Sequence, residues 1–422
     1  MEFTLEYAQE KDLEDSIRNF RDRFYIPQHH ARDCIYFTGN SLGLQPKGAR
    51  KYLEEELEDW AEHGVEGHFR SRRPRVAYHE FFSASLAKIV GAKEEEVVAM
   101  GSLTANLHFL MATFYRPSGK RNKILCEKKA FPSDAYALAS QAQLHGLDPE
   151  GTVIEVGPRE GEHTIRLEDI LAKIEELGDE LAMVMIGGVN YYSGQVFDMK
   201  TVTEHGHRVG ANVGFDLAHA AGNIKMQLHD WNVDFAAWCT YKYMNSSPGG
   251  VAGIFVHEKH ASDKNTFKLA GWWGHNKERR FLMEPEFDPI PTAESWQLSN
   301  APVMTMACHR AALDLFDEAG MDRLIAKSRG LTNYLEFVIA EVSKLSTSGG
   351  FEVITPSAES ERGCQLSILA HGQGKPLFDK LTDKGVVADW REPNVIRIAP
   401  VPLYNSYEDV YRFGVALEGS LN

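Results

Sequence analysis

Between about residues 51 and 300, short apolar runs alternate with segments of helical spacing, and this alternation narrows the fold more than any other feature of the chain. Residues 97–100 read as a strand. Leu107, Leu110, Met111 and Phe114 then recur at the i, i+3, i+4, i+7 spacing of one helix face. Residues 124–126 form another short strand, and Ala135, Leu138, Ala139 and Ala142 mark a helix closed by Gly146. A buried strand is expected over 181–186 and a helix over 199–209, with Asp198 as its N-cap. Residues 213–215 are a strand ending at Asp216, and 235–239 and 251–256 are two more. The pattern predicts an α/β fold with a mainly parallel sheet covered by helices on both faces.

After about residue 300 the pattern changes. Two long helical stretches cover 302–343. Strands follow at 351–354, 364–369 and 395–399, with two further helices. This predicts a separate, smaller α+β domain over 301–422, divided from the large domain over 51–300 near Ser299-Asn300-Ala301-Pro302. Residues 1–50 are polar and then punctuated by Gly and Pro. They end in Gly39-Asn40-Ser41-Leu42-Gly43-Leu44-Gln45-Pro46, an ordered loop expected to pack with the small domain.

Charge and cysteine usage exclude several classes of function. The 422 residues carry 45 Lys plus Arg against 60 Asp plus Glu, a net charge of −15, which repels nucleic acid unless a basic stripe exists. The one basic run, Arg70-Ser71-Arg72-Arg73-Pro74-Arg75, is isolated and reads as a solvated loop. Cys34, Cys126, Cys239, Cys308 and Cys364 are widely spaced and never in C-x-x-C, which argues for a reducing compartment and against a disulfide framework or a Cys-rich zinc site. The acidic N-terminus has no signal-peptide core, and no apolar run is long enough to span a bilayer. A soluble cytoplasmic protein that binds neither nucleic acid nor membrane is expected. No metal site is expected: His257-Glu258-Lys259-His260 lacks H-E-x-x-H spacing, and no phosphate-binding glycine motif follows a strand.

The chemistry concentrates in residues 213–250. Asp216 ends an apolar strand, where open α/β sheets bind ligands. Lys242 follows the next strand inside Trp238-Cys239-Thr240-Tyr241-Lys242-Tyr243. An ammonium among apolar and aromatic neighbours is poorly solvated, which makes the neutral amine available for a Schiff base with an aldehyde cofactor. Pyridoxal phosphate needs such a lysine, an acid facing its pyridine nitrogen and a set of phosphate donors. Gly101-Ser102-Leu103-Thr104-Ala105-Asn106 joins a strand to a helix and offers free N–H groups and hydroxyls. Phe131-Pro132-Ser133-Asp134 opens the next helix, and Tyr241 carries a phenol beside Lys242. Each of these residues alone also fits a plain structural role: Lys242 reaching solvent, Asp216 or Ser102 capping a helix, Phe131 in a core. Their order along one chain favours the cofactor site. Arg397 lies mid-strand between Ile396 and Ile398; a guanidinium there needs a carboxylate or phosphate, and a bound ligand and an internal ion pair serve equally.

The residues so ordered resemble the kynureninases, pyridoxal-phosphate enzymes of the aspartate-aminotransferase-like fold type I, whose large domain holds a mainly parallel, seven-stranded sheet. The resemblance runs through Gly39-Asn40-Ser41-Leu42-Gly43, Ser102-Leu103-Thr104-Ala105-Asn106-Leu107-His108, Ala130-Phe131-Pro132-Ser133-Asp134, Gly214-Phe215-Asp216-Leu217-Ala218-His219-Ala220, Tyr241-Lys242-Tyr243, Gly271-Trp272-Trp273-Gly274-His275, Ser299-Asn300 and Arg397-Ile398-Ala399-Pro400. It implies that Lys242 holds the cofactor, Asp216 pairs with the pyridine nitrogen and His219 lies beside the ring. Leu103, Thr104, Ser133 and Tyr241 hold the phosphate end, Phe131 stacks on the ring, and Asp134 belongs to the same cofactor site. Trp272 and Asn300 reach that site across a homodimer interface. Arg397 clamps the substrate carboxylate, and His68, Asn300, Ser299 and His275 lie on the substrate side. The chain departs from the family at Arg73-Pro74-Arg75, near His68, where the resemblance implies an aromatic after Pro74.

The activity implied is hydrolysis of the Cβ–Cγ bond of kynurenine or 3-hydroxykynurenine, giving alanine and an anthranilate, in tryptophan breakdown or pyridine-nucleotide supply. Lys242 would be the general base, Tyr241 a proton donor and His219 a candidate catalytic neighbour. Other reactions share the fold. A class V aminotransferase would release a keto acid. A cysteine desulfurase would need an exposed cysteine on a mobile loop, which neither Cys308 nor Cys364 suits. A pyridoxal-binding homologue without activity would not need Lys242, Asp216 and Arg397 together.

Overall fold

A computed structural model describes residues 1–346 and 350–421. The N-terminal helix α1 (Leu5–Glu14) leads through a loop-rich segment to α2 (Ala49–His63) and α3 (Glu80–Val90). The alternating region follows: β1 (Val97–Ala99), α4 (Leu103–Phe114), β2 (Lys123–Glu127), α5 (Pro132–Leu144), β3 (Val153–Val156) and α6 (Leu167–Leu177). It continues with β4 (Leu181–Gly187), α7 (Met199–Arg208), β5 (Asn212–Asp216), β6 (Phe235–Cys239) and β7 (Ala252–Val256).

These seven strands form one sheet in the order β1-β7-β6-β5-β4-β2-β3. The run from β6 to β3 is parallel, as the alternation predicts, and all seven residues of β4 are buried because helices cover both faces. Asp198 caps α7 by accepting the Thr201 N–H at 3.0 Å. The strand expected over 251–256 is present as β7, but it runs antiparallel to both its neighbours, a direction the sequence reading did not anticipate. No helix lies between β6 and β7, and without a crossover helix the chain returns in the opposite direction.

Helices α8 (Val303–Ala319) and α9 (Met321–Ser343) precede β8 (Phe351–Val353), β9 (Leu366–Ala370), α10 (Gly374–Asp383), β10 (Asp389–Arg391), β11 (Val395–Ile398) and α11 (Tyr407–Glu418). The four strands form an antiparallel sheet ordered β8-β9-β11-β10. Three main cores result. One, with Leu107, Leu110, Phe114 and Trp296, covers one face of the seven-stranded sheet. The larger, on the other face, includes Met306, Leu313, Phe316 and Leu324, so α8 packs on α2 and α3. The smaller begins at Leu331 and gathers Leu335, Val338, Ile368, Ile396 and Phe413. The N-terminal segment touches the last two: Ile17, Phe20 and Phe24 enter the larger core, Ala8, Ile35 and Phe37 the smaller. Ile35–Tyr36 also pairs in parallel with Val386–Val387. No described helix is long and apolar enough to cross a membrane.

Candidate active site

Parallel strands bring their carboxyl ends to one edge of a sheet, and the loops there surround a cleft of about 340 Å³. Ser102, Leu103 and Thr104 follow β1, Glu127 ends β2, Gly187 ends β4, Asp216 ends β5 and Tyr241 and Lys242 follow β6; all line the cleft. Because β7 runs backwards, its start lies at the same edge, and Gly249, Val251 and Ala252 join them.

The acidic wall comes first. Asp216 is buried, and its Oδ1 accepts the Ala218 N–H at 2.7 Å. Asp134, in the first turn of α5, lies within hydrogen-bond reach of Asp216. Two carboxyl groups this close favour holding a proton between them. Burial pushes both carboxyls above the usual range, the charge of Lys242 opposing. Glu127 completes the wall.

Lys242 points its Nζ to within 5.9 Å of the Phe131 ring centroid. Its loop is held from outside by Gly43, whose N–H donates to the Tyr241 oxygen at 2.8 Å. A Cβ at Gly43 would lie 2.2 Å from Asn245 Oδ1, so only glycine permits this approach. Asn40 and Ser41 of the same Gly-Asn-Ser-Leu-Gly loop line the cleft. The Tyr241 phenol is half-buried beside the Cys239 thiol, and desolvation holds its proton on.

At the start of α4, Ser102 makes no side-chain cap bond, which leaves the first N–H groups of the helix open to the cleft. Gly101 makes this turn at φ +55°, where a Cβ would meet Asn106 Oδ1 at 2.4 Å.

The facing wall comes from the small sheet. Arg397 is 1% exposed in the middle of β11, in register with Asp389 on β10. Its Nε and Nη2 reach the two Asp389 oxygens at 3.2 and 2.9 Å, and Nη1 donates to the Tyr191 oxygen at 2.7 Å. Arg391 also pairs with Asp389, at 2.9 Å. Both guanidiniums line the cleft and share one carboxylate, which leaves a net positive charge on this wall. Arg397 therefore has an internal partner and also lines the cleft. His219 is buried near Tyr243 with its Nδ1 unpartnered; burial, with Lys242 and Arg397 adding to it, holds the ring neutral well below the usual imidazole range.

Ten of the expected residues thus meet in one cleft: Leu103, Thr104, Phe131, Ser133, Asp134, Asp216, His219, Tyr241, Lys242 and Arg397. Five do not line it in the single chain. Trp272 is 48% exposed and donates its indole N–H to the Arg280 oxygen at 3.0 Å. His275 is buried and accepts the Asp288 N–H at 3.1 Å. Ser299 and Asn300 are exposed, and His68 is half-buried on the short helix Gly67–Arg70 with Nδ1 unpartnered. The ring of Phe281 links Phe69, beside His68, to Trp272, so these two expected residues border one exposed aromatic surface. The sequence reading missed Glu127, Tyr191, Asp389 and Arg391. Glu127 carried the same signal as Asp216, an acid ending an apolar strand.

The residues of the cleft fit pyridoxal phosphate. It offers a lysine with no carboxylate in ion-pair distance among the described residues, a buried carboxyl pair opposite it, and an uncapped helix start for a phosphate.

A search against known proteins separates this chain from others of its architecture. It is 60% identical to the kynureninase of Flavobacterium psychrophilum over 98% of this chain and 97% of that protein. The chain belongs to the kynureninase family. The kynureninase of Nematostella vectensis is 47% identical over 97% of this chain and 92% of its own length. The kynureninase C-terminal domain profile matches residues 324–417, which span most of the smaller core. Among solved structures, a cysteine desulfurase from Thermococcus onnurineus NA1 superposes with a TM-score of 0.74 at 18% identity, covering 92% of this chain and 94% of that one. A mutant of the cystine lyase C-DES with glycine covalently linked to its pyridoxal phosphate gives 0.75 at 15% identity, covering 93% and 99%. Those two show the shared fold type I. Kynureninase membership brings the pyridoxal phosphate cofactor and the hydrolysis of a carbon–carbon bond. The cysteines agree with it: four are buried, and Cys308, half-buried, lies within α8 rather than on a loop.

Proposed function

We propose that the protein hydrolyses the Cβ–Cγ bond of L-kynurenine or 3-hydroxy-L-kynurenine, with the residues of this cleft in the following roles. The observation that carries the reading is the meeting of Lys242, Asp216 and Arg397 in one cleft of a kynureninase-family chain. Pyridoxal phosphate, when bound, supplies an aldehyde for amine linkage and a pyridine ring that takes up electrons from Cα.

Lys242 would hold the cofactor's aldehyde, and its neutral amine is the base placed to take the Cα proton. Asp216, with Asp134 behind it, keeps the ring nitrogen protonated. The N–H groups of Leu103 and Thr104, with Ser133 and Tyr241, receive the phosphate. Phe131 and His219 flank the ring. His219, being neutral, stacks or donates one hydrogen bond and is not an acid. Arg397 receives the substrate carboxylate on the cationic wall, where Asp389 aligns its fork. Tyr241 keeps its proton at neutral pH and delivers it to Cβ.

We place the aromatic surface at a homodimer interface, with Trp272 and Asn300 supplied to the partner's cleft and His68, Ser299 and His275 on its substrate side. Exposed Trp272, Phe69 and Phe281 support this reading, since such rings rarely cluster in solvent without a partner. A boundary after α8, which belongs by its contacts to the larger body rather than to a domain starting at 301, with residues 1–50 joining both bodies, and a cytoplasmic location complete the proposal. The test is product analysis on both substrates. Alanine and an aromatic amino acid in equal amounts are expected; a keto acid would mean transamination. A colourless protein that takes up no pyridoxal phosphate would sink the reading.

A further inference from the structure

Glu127 takes no part in these roles, yet it lines the same cleft and only 6% of it is exposed. Both its carboxyl oxygens accept the Gly187 N–H, at 3.2 and 3.3 Å, which ties the end of β2 to the end of β4. Gly187 is in register with Asp216 on β5, and the next residue, Gly188, donates its N–H to the Asp216 main-chain oxygen at 2.7 Å. The Glu127 carboxyl therefore holds Gly187, the strand partner of Asp216, while the next residue, Gly188, holds the Asp216 main chain. The fit is close: a Cβ on Gly187 would stand 3.1 Å from Glu127 Oε1.

No cation is among the groups acting on Glu127. Asp216 faces it from β5, Asp134 from α5, and the Cys126 thiol from its own strand; Lys242, from the loop after β6, acts on the two aspartates instead. Two buried carboxylates and the half-buried Asp134 cannot all ionise against one ammonium, since each unpaired buried charge costs several kcal/mol. Asp134 and Asp216 favour holding one proton between them. Glu127 is the remaining group able to hold another, and burial, reinforced by the charge of Asp216, pushes its carboxyl up to about 7.

We infer that Glu127 is a positioning residue for the ring-nitrogen acid: it braces the strand ends beside Asp216 and, by keeping or releasing its own proton, sets the charge the acidic wall presents to the cofactor. The inference rests on the assignment of Asp216 to the pyridine nitrogen made above. A neutral Glu127 leaves one negative charge on the wall. An ionised Glu127 adds a second, which favours the protonated ring.

The test is a pH titration of the visible absorption of the lysine-bound cofactor in the holoenzyme, for the native chain, E127Q, E127D and D216N. The native protein is expected to show a step near pH 7. In E127Q the step disappears while cofactor affinity changes by less than about tenfold. In E127D, which restores a carboxyl, the step returns at a displaced pH, a rescue that a purely steric role would not give. A step unchanged in E127Q overturns the inference, as does a native titration flat between about pH 6 and pH 8. Should E127Q fail to fold, a step in E127D at the native pH overturns it equally. D216N separates the two assignments. If D216N keeps native affinity and absorption, Asp216 does not face the ring nitrogen. If D216N is impaired and E127Q titrates like the native chain, only the role of Glu127 falls.

Discussion

In the seven-stranded sheet the site residues stand at strand ends, whereas in the four-stranded sheet Arg397 stands in the middle of a strand. Sheet direction explains the contrast. Parallel strands finish at one edge, so Glu127, Gly187, Asp216 and the loop bearing Lys242 collect there without further device. Antiparallel strands finish at alternate edges and collect nothing. Such a sheet can offer a ligand only what projects from its face, and a charge placed there is buried and needs a partner in register, which Asp389 supplies. Hence the edge gathers acids whose carboxyls are raised, and the face presents an ion-paired cation.

The largest effect should come from the edge. Lys242→Ala should lower kcat by on the order of 10⁴-fold and abolish the yellow colour, read by steady-state kinetics and absorption; retained activity would remove Lys242 from the chemistry. Next is the proton of the acidic wall in the cofactor-free protein. Glu127 is raised from 4.5 to about 7 in the fold, so the native chain binds more protons than the unfolded chain between those values. Its contribution to stability is whole below pH 4.5 and is lost as pH rises to about 7, on the order of 3 kcal/mol in all. Urea unfolding at several pH values should show E127Q lacking this decline.

The face should respond differently. Arg397→Ala should lower kcat/KM by on the order of 10²-fold, chiefly through KM; a fall confined to kcat would deny it the carboxylate. Asp389→Asn should cost about tenfold through the same constant, because the guanidinium stays but loses its alignment. An effect equal to that of Arg397→Ala would mean that the guanidinium contributes nothing unless Asp389 aligns it.

The smallest effect lies away from both walls. His309 on α8 is fully buried against Phe82 on α3, with both ring nitrogens unpartnered, and burial lowers it from 6.5 to about 3. Between those values the unfolded chain binds the proton and the native chain does not, so stability falls as pH drops through that window. His309→Leu should flatten this acid limb and change neutral-pH stability by about 1 kcal/mol, measured by thermal unfolding. An acid limb as steep as the native one would mean that a water satisfies the ring.

Much of the larger body was legible in the chain. Apolar runs at 124–126, 181–186 and 213–215 are strands because only continuous hydrophobicity suits a sheet covered on both faces, and Asp216 and Lys242 announce themselves as charges that end such runs. Glu127 ends one too, but nothing local distinguishes a carboxyl facing a cleft from one facing solvent. The direction of β7 was not legible, because the run 251–256 looks the same in either orientation. Nor was the company of Arg397: Asp389 is eight positions away, and only pairing of β10 with β11 brings the two side by side.

The sequence alone determined the architecture and the family, since hydrophobic period, strand-end charges and long motifs are local or nearly local properties of the chain. It also determined which residue types were available for a phosphate, an aldehyde and a carboxylate. Tertiary structure decided which of them share a cleft, that Asp134 stands beside Asp216 and both carboxyls are raised, that two arginines divide one aspartate, and that His68, Trp272, His275, Ser299 and Asn300 do not line the cleft of a single chain. Those are matters of distance between residues far apart in sequence, and of the burial that such proximity imposes on their charges.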